Sequence, residues 1–405
     1  MIPLEAVQAE IAAAVRVLEP VTVGVREARG LVLAAPLSTA EPVPPWSNTA
    51  MDGYAVRAAD TAGASSSSPV RLTVVGELPA GRSPAGLVVG AGEAIRIMTG
   101  APIPDGADAI VKVEDTDRAA PDGVFVHQPA RTDDHVRPAG GDLAAGQVVF
   151  PAGTVLGPAH VGVLASVGVR SVSVHRRARV GVLSTGDELV ETGRLPPGKI
   201  RDSNRPMLRA LVAETGADPV DLGTARDDED DIASVVEDAT ARCDVLVTSG
   251  GVSVGDYDYV KAVLDRMGSM RWCQVAIKPA KPLAYGTVLG IPAFGLPGNP
   301  VSSHVSYELF ARPATLGMMG HAERSRPEVV AVAEHDLARR RDGKLHLDRA
   351  RVRIGKDGRY TVARTGAQHS NVLSGMAAAN SLVLVPDGDG IPAGGDVRVM
   401  LLRDP

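Results

Sequence analysis

Thr248-Ser249-Gly250-Gly251-Val252-Ser253-Val254-Gly255-Asp256 is the stretch on which the reading of this chain turns. It follows Asp244-Val245-Leu246-Val247, an apolar run of the kind buried on both faces of a parallel sheet, and it precedes a helical pattern over 256–267. Adjacent glycines let the backbone turn tightly and bring its N–H groups to an anion, and the N-terminus of the next helix adds a partial positive charge. Strand, glycine turn and helix in that order predict an open α/β sheet that binds its ligand at the carboxyl ends of its strands. The turn is neither a Rossmann fingerprint nor a Walker loop, since no Lys-Ser/Thr pair ends it. Taken alone, it also fits a plain turn with no ligand.

The alternation continues on both sides. Residues 180–184, 219–222, 272–277 and 292–296 read as strands, and 206–214, 230–241 and 301–316 as helices, with Ser203 or Asn204 as a cap for the first. Strands alternating with helices predict a mainly parallel sheet covered on both faces, a three-layer domain over 177–325. Residues 46–134 alternate short β runs with turns and predict a β-rich lobe. Leu4, Val7, Ile11, Val15 and Leu18 share one face of an opening helix, and 158–167 reads as a short helix stopped by Gly168. These two helices are expected to pack together in a small discontinuous N-terminal domain, 1–45 with 135–176. In 326–405, β runs at 329–333, 360–363, 382–385 and 397–401, with the hairpin signal Asp357-Gly358, predict a C-terminal β-barrel-like domain. The expected fold class is α/β multidomain.

A chain of 405 residues is long enough for about two to four domains. Its 44% hydrophobic and 22% charged residues are ordinary for a globular protein, and only 3% are aromatic, so the cores must be aliphatic. A net charge of −6 argues against a general nucleic-acid binder. Two isolated cysteines, Cys243 and Cys273, form neither a disulfide framework nor a zinc spacing, and point to a reducing, cytoplasmic setting. No apolar run reaches membrane-spanning length and no signal peptide is read, so no membrane partner is expected.

Three more loops follow predicted strands or adjoin them. Leu183-Ser184-Thr185-Gly186-Asp187-Glu188-Leu189 ends a strand, and Asp187 and Glu188 are oxygen ligands suited to Mg²⁺ beside phosphates; acids complementing a helix dipole are the plainer alternative. Ile277-Lys278-Pro279-Ala280-Lys281-Pro282 presents two ammonium groups from a loop stiffened by proline, a fit for phosphate or another oxyanion unless both lysines are merely solvated. Gly295-Leu296-Pro297-Gly298-Asn299-Pro300 offers backbone donors and an amide between strand and helix. Outside this sheet stand Asn48-Thr49-Ala50-Met51-Asp52-Gly53-Tyr54-Ala55 and Arg96-Ile97-Met98-Thr99-Gly100-Ala101-Pro102, which read as turns without further context. No Gly-x-Ser-x-Gly elbow is present and the histidines lack a zinc-site pattern; His160, His304 and Met318-Met319 read as structural.

The segments PPWSNTAMDGYAV, RIMTGAPIPDGADAIVKVED, STGDEL, TSGGVSVGDYDY, IKPAKP and GLPGNP, in this order, resemble the MoeA and gephyrin E-domain family of molybdopterin molybdenumtransferases. The resemblance covers residue 44 to about 316. It implies four structural domains and an elongated homodimer, whose active site lies between the α/β domain of one subunit and the Asp52-bearing domain of the other. It implies a Mg²⁺-dependent reaction of adenylylated molybdopterin with molybdate that yields molybdenum cofactor and AMP. Contacts with the molybdopterin adenylyltransferase and with molybdoenzyme apoproteins come with it.

Carried over by motif, Asp52, Glu188, Asp258, Lys278 and Lys281 are the implied catalytic residues. Thr99, Thr248, Ser249, Gly250, Gly251, Ser253, Gly298, Asn299, Pro300, Arg349 and Ser374 are implied substrate contacts. Glu188, Asp187, Asp227 and Asp228 are implied Mg²⁺ ligands. Ala280 stands where the family often has glycine, and Tyr257 fills the variable place before Asp258. Two other readings stay open: a molybdopterin adenylyltransferase, which shares the TSGG loop, and a non-catalytic dimeric scaffold of the gephyrin E-domain type.

Overall fold

The computed structural model describes residues 1–119, 122–251 and 259–405. The chain forms two compact units, one of Met1–Thr22, Gly30–Ala34 and Ser173–Pro405 and one of Val23–Arg29 and Ala35–Val172.

The smaller unit is built on a six-stranded sheet in the order Ala109–Lys112, Gly53–Val56, Glu93–Ile97, Val70–Leu78, Gly123–Val126, Thr116–Ala119. Tyr54, Val56, Leu72 and Val124 fill one apolar cluster, while Ala55, Ile95, Ile97 and Ile110 fill another. Alternation along Gly53–Val56, Glu93–Ile97 and Ala109–Lys112 feeds both clusters. Asp52-Gly53, a turn by its sequence, opens the central strand instead. A Cβ on Gly53 would lie 2.0 Å from the Val111 carbonyl oxygen, so only glycine permits this pairing.

In the larger unit a six-stranded sheet runs Asp218–Ala225, Arg179–Thr185, Val245–Ser249, Ile291–Leu296, Pro282–Val288, Gly268–Gln274. The first four strands are parallel and the last two antiparallel. Helices Glu229–Arg242 and Tyr259–Met267 bury Ile232, Val236, Val263 and Leu264 on one face. The other face receives Asn204–Glu214 and a continuous helical run made of Pro300–Ser306, a π-helical turn Tyr307–Ala311, and Arg312–Met318. This is the expected three-layer arrangement. Strand Pro282–Val288 was not expected: it returns through Leu289-Gly290, whose positive φ values of 46° and 89° make a tight hairpin without the usual Asn-Gly signal.

The opening helix departs from expectation. It spans Leu4–Ala14, ending before Val15 and Leu18, and buries Leu4, Val7 and Ile11 in the core of the larger unit with Tyr307 and Phe310. Its apolar face packs on the helices of the α/β layer. Helical periodicity states that a face will be buried and not against what.

The C-terminal strands close on themselves. Leu345–Ile354 pairs with Tyr360–Arg364 and with Ser381–Val385, and Glu328–Ala333 and Asp396–Leu401 complete a five-stranded barrel. Val352, Val362, Val383 and Val399 fill its interior. Leu345–Ile354 escapes the sequence reading because it carries His346, Asp348 and Arg349, all buried here. A two-residue strand, Ile277–Lys278, pairs parallel with Leu345-His346 and ties the lysine loop to the barrel. Among the described residues, no helix is long and apolar enough to cross a membrane.

Candidate functional site

The parallel strands determine where a site can form. From Arg179–Thr185 the chain goes first to the edge strand Asp218–Ala225 and then back across to Val245–Ser249. The loops leaving Thr185 and Ser249 therefore diverge, and a crevice opens at the carboxyl ends of these strands.

Glycine geometry shapes that crevice. Gly250 and Gly251 have φ of 101° and 68°. A Cβ on Gly250 would lie 3.2 Å from both the carbonyl and the hydroxyl oxygen of Thr185, and one on Gly251 would lie 2.4 Å from Val260. Gly298 approaches the Gly250 backbone in turn, its notional Cβ 3.8 Å from the Gly250 Cα. Asn204, read only as a possible cap, joins these loops. Its Nδ2 donates to Ser249 Oγ at 2.7 Å and to the Gly298 carbonyl at 2.6 Å. Three of the predicted loops thus meet on one rim.

Within that rim the predicted residues divide. Thr248 and Ser249 are buried, so they form the floor, while Gly298 and Asn299 are exposed. Asn299 precedes Pro300 at the helix start with its side chain making no cap bond. Ser253 and Asp258, together with Tyr257, lie outside the described residues.

The four acids proposed for a metal do not form one cluster. The Asp187 N–H donates to Asp227 Oδ2 at 3.2 Å and the Asp227 N–H returns a bond to Asp187 Oδ1 at 3.3 Å, so these two carboxylates are held side by side. Asp228 instead caps the helix Glu229–Arg242, accepting from the Asp231 N–H at 2.9 Å. Glu188 is exposed, its carboxylate near Gly186. Among the described residues, no three His, Cys, Asp or Glu side chains converge as a metal-binding group.

Lys278 and Lys281 do share a site. The Val275 N–H donates to the Lys281 carbonyl at 2.7 Å, closing the loop between them. Both side chains are exposed to a cavity of about 490 Å³, which Lys344, Ser302, His369 and Ser370 also line. Three lysines and no carboxylate border this cavity. The sequence reading missed Lys344, Ser302 and the 368–370 segment, since each is brought in by tertiary contact alone.

Arg349 does not line the cavity. It is fully buried, and it braces the wall: its guanidinium donates to the carbonyls of Ala367 at 2.6 Å and His369 at 3.1 Å, while Gln368 and the Arg349 backbone bond to each other. Burial pushes its pKa down from the usual arginine range. Ser374 is exposed on the short helix Leu373–Ala378.

In the smaller unit Asp52 and Thr99 are paired. Asp52 Oδ1 accepts from the Thr99 N–H at 2.7 Å and from its hydroxyl at 2.8 Å. The Thr99 backbone bond, the hydroxyl bond and, more weakly, the Arg96 charge hold this carboxyl below the usual carboxylate range against a small opposing effect of burial. Arg96 itself lies 5.0 Å over the Tyr54 ring and donates to the Gly53 carbonyl at 3.1 Å. Two turns that lacked context in the sequence therefore form one structure.

Comparison with known proteins adds the following. The model of the MoeA N-terminal region (domain I and II) matches residues 2–168, that of a probable molybdopterin binding domain 181–316, and that of the MoeA C-terminal region (domain IV) 336–402. Molybdopterin molybdenumtransferase 2 of Mycobacterium tuberculosis is 40% identical over 390 residues, covering 94% of each chain. Molybdopterin molybdenumtransferase of Nostoc is 38% identical, covering 93% of this chain and 87% of its own. The crystal structure of a molybdopterin biosynthesis MoeA protein from Pyrococcus horikoshii superposes with a TM-score of 0.85 at 29% identity, covering 99% of this chain and all of that one.

Proposed function

Because this chain belongs to the MoeA family of molybdopterin molybdenumtransferases and has a transferase role in molybdenum cofactor biosynthesis, we propose that it inserts molybdate into adenylylated molybdopterin, releasing AMP. One observation carries this reading. The helix that begins at Pro300 meets the glycine rim through Gly298 just before it and the lysine cavity through Ser302 just inside it. A pyrophosphate cradle and an oxyanion pocket are thus reached from one helix start.

In this reading the Gly250-Gly251 turn and Gly298 approach the pyrophosphate by backbone, while Asn204 holds their spacing. Lys278 and Lys281 draw molybdate into a cavity whose walls offer positive charge and no competing carboxylate, while Lys344, which lines the same cavity, donates to Asp342 at 3.0 Å. Arg349 is a positioning residue that keeps His369 and Ser370 in the wall. Asp187 and Asp227 fit Mg²⁺, which takes one or two carboxylates together with phosphate oxygens and water; Glu188 is the third candidate, and Asp228 is occupied by its helix. Bound there, the ion would neutralise charge on the phosphates as the linkage opens. We further propose a cytoplasmic homodimer in which the Asp52–Thr99 pair of one chain serves the α/β site of the other.

The test is AMP release from adenylylated molybdopterin by the pure protein, with and without molybdate and Mg²⁺. Release that requires both, with activation of a molybdenum-dependent apoenzyme, is expected. A folded protein that releases no AMP under any of these conditions would refute the reading and favour a scaffold; consumption of ATP with pyrophosphate release would favour an adenylyltransferase.

A further inference from the structure

A strap, residues 189–203, joins the loop that carries Asp187 and Glu188 to the helix that opens at Asn204, so it begins and ends at the crevice. Its two short strands, Leu189–Val190 and Ile200–Arg201, pair in parallel, and the chain between them is exposed.

The strap is fastened at both ends. The Ile200 N–H donates to the Glu188 carbonyl at 2.8 Å and the Asp202 N–H to the Val190 carbonyl at 3.3 Å. Arg205, nearly buried, pairs with Glu191 near the start of the strap and with Asp202 near its end, and is itself anchored on Asp221 at 2.5 Å.

Lys199 stands just before the second of these strands, where its ammonium donates to the Asp187 carbonyl at 2.6 Å. Asp187 is the residue whose carboxylate is held beside that of Asp227, and it follows by two places Thr185, on which Gly250 packs. The ammonium is thus fixed by main chain on the loop that carries the acid pair and reaches the glycine turn. Among the described residues, its side chain makes no other hydrogen bond or ion pair. An ammonium has three donors, so two remain. Arg226, a second cation beside these acids, is committed to Asp231 at 3.5 Å. A lysine held next to two carboxylates without neutralising either suits a ligand that brings both phosphate and a divalent cation. The acids take the cation, and the ammonium takes phosphate oxygens as a compact point charge.

We propose that Lys199 is a substrate-binding residue, which holds the phosphates of the adenylylated pterin from the strap and complements the backbone donors of the glycine turn. The proposal rests on the reading that the crevice receives the pyrophosphate of that substrate. The strap gives the ammonium its place, since Arg205 holds both ends and the Asp187 carbonyl takes only one of the three N–H groups.

Calorimetric titration of the full chain with ADP, at saturating Mg²⁺, tests this, because ADP carries the adenosine and the pyrophosphate of that substrate without its pterin. Lys199→Ala should weaken ADP binding about tenfold, the loss of one charge-assisted bond, and Lys199→Arg should restore part of it. In AMP release from the adenylylated pterin, Lys199→Ala should raise KM with kcat little changed, since the contact is already made in the bound ground state. Lys199 is exposed, and thermal melting of both variants should match that of the parent protein. Undiminished ADP binding by Lys199→Ala would overturn the proposal. A loss that further Mg²⁺ abolishes would overturn it too, because Lys199 would then act only by holding the Asp187 loop for the metal. A parent protein that binds no ADP would instead overturn the reading of the crevice.

Discussion

At the residue scale, two positions show how local chemistry sets the limits of the site. Asp52 owes its depressed pKa to donors from Thr99. Thr99→Val keeps the backbone N–H and removes the hydroxyl, so the Asp52 pKa should move back up toward the ordinary carboxylate value. A group whose folded pKa is depressed works ionised above that pKa and fails as pH falls through it. The acid limb of kcat/KM against pH should therefore shift to higher pH in Thr99→Val; an unshifted limb in a folded variant would remove Asp52 from the reaction.

Ala280 is the second position. Its φ of 74° is left-handed, which costs an L-residue about 1–2 kcal/mol. Burying its methyl group returns about 0.8 kcal/mol, and alanine leaves the unfolded chain about 0.4–1 kcal/mol less entropy than glycine would. The terms nearly cancel, which is why alanine can stand in this left-handed position between the two lysines.

At the element scale, the rim is held by a helix that contributes no group to the proposed chemistry. Asn204 opens Asn204–Glu214 and bonds to the end of one strand, at Ser249, and to the loop that follows another, at Gly298. It is 8% exposed, so no solvent replaces those bonds. Asn204→Ala leaves the Gly298 carbonyl without its Asn204 donor and deprives Ser249 of a partner, which should cost about 1–3 kcal/mol in chemical denaturation. Because the two loops lose their spacer, KM for the pterin substrate should also rise. A variant destabilised to this extent with KM unchanged would make Asn204 purely structural. The π-helical turn Tyr307–Ala311 lies in the same layer, where the Arg326–Glu308 pair and the Tyr307–Thr215 bond, 2.9 Å long, are buried or nearly so.

At the scale of the whole molecule, the chain leaves the larger unit and re-enters it at Ser173. The re-entry is fastened by Asp244, which accepts from Arg176 at 2.6 and 2.8 Å and from Arg179 at 2.8 Å at its backbone and 3.0 Å at its guanidinium. Burial opposes ionisation of Asp244, but these bonds outweigh it and hold its carboxyl well below the usual range. Its contribution to stability is therefore complete above the unfolded pKa of about 3.9 and fades as pH falls toward the folded value. Both arginines are partly exposed, which reduces the value of the pair through solvent screening. Asp244→Asn should lower unfolding free energy by about 1–3 kcal/mol at pH 7, and the deficit should narrow below about pH 4. A deficit that stayed constant across this range would assign it to packing instead of charge.

By itself, the sequence determined those features that depend on neighbouring residues. Strand, glycine turn and helix around Gly250 and Gly251, the three-layer α/β domain, the barrel-like tail and the family were all legible, because backbone conformation and side-chain alternation act over a few residues. Only the tertiary structure decided which surfaces meet. It sent the opening helix to the α/β layer, added Pro282–Val288 through a turn with no usual signal, and buried the charged strand Leu345–Ile354. It also paired Asp52 with Thr99, turned Asp228 away to cap a helix, assigned Arg349 to brace a wall, and brought Ser302, Lys344 and His369 to the lysines from three distant segments. Periodicity reports that a face is buried but not its partner, and a site assembled from segments far apart in the chain leaves no local pattern for the sequence to display.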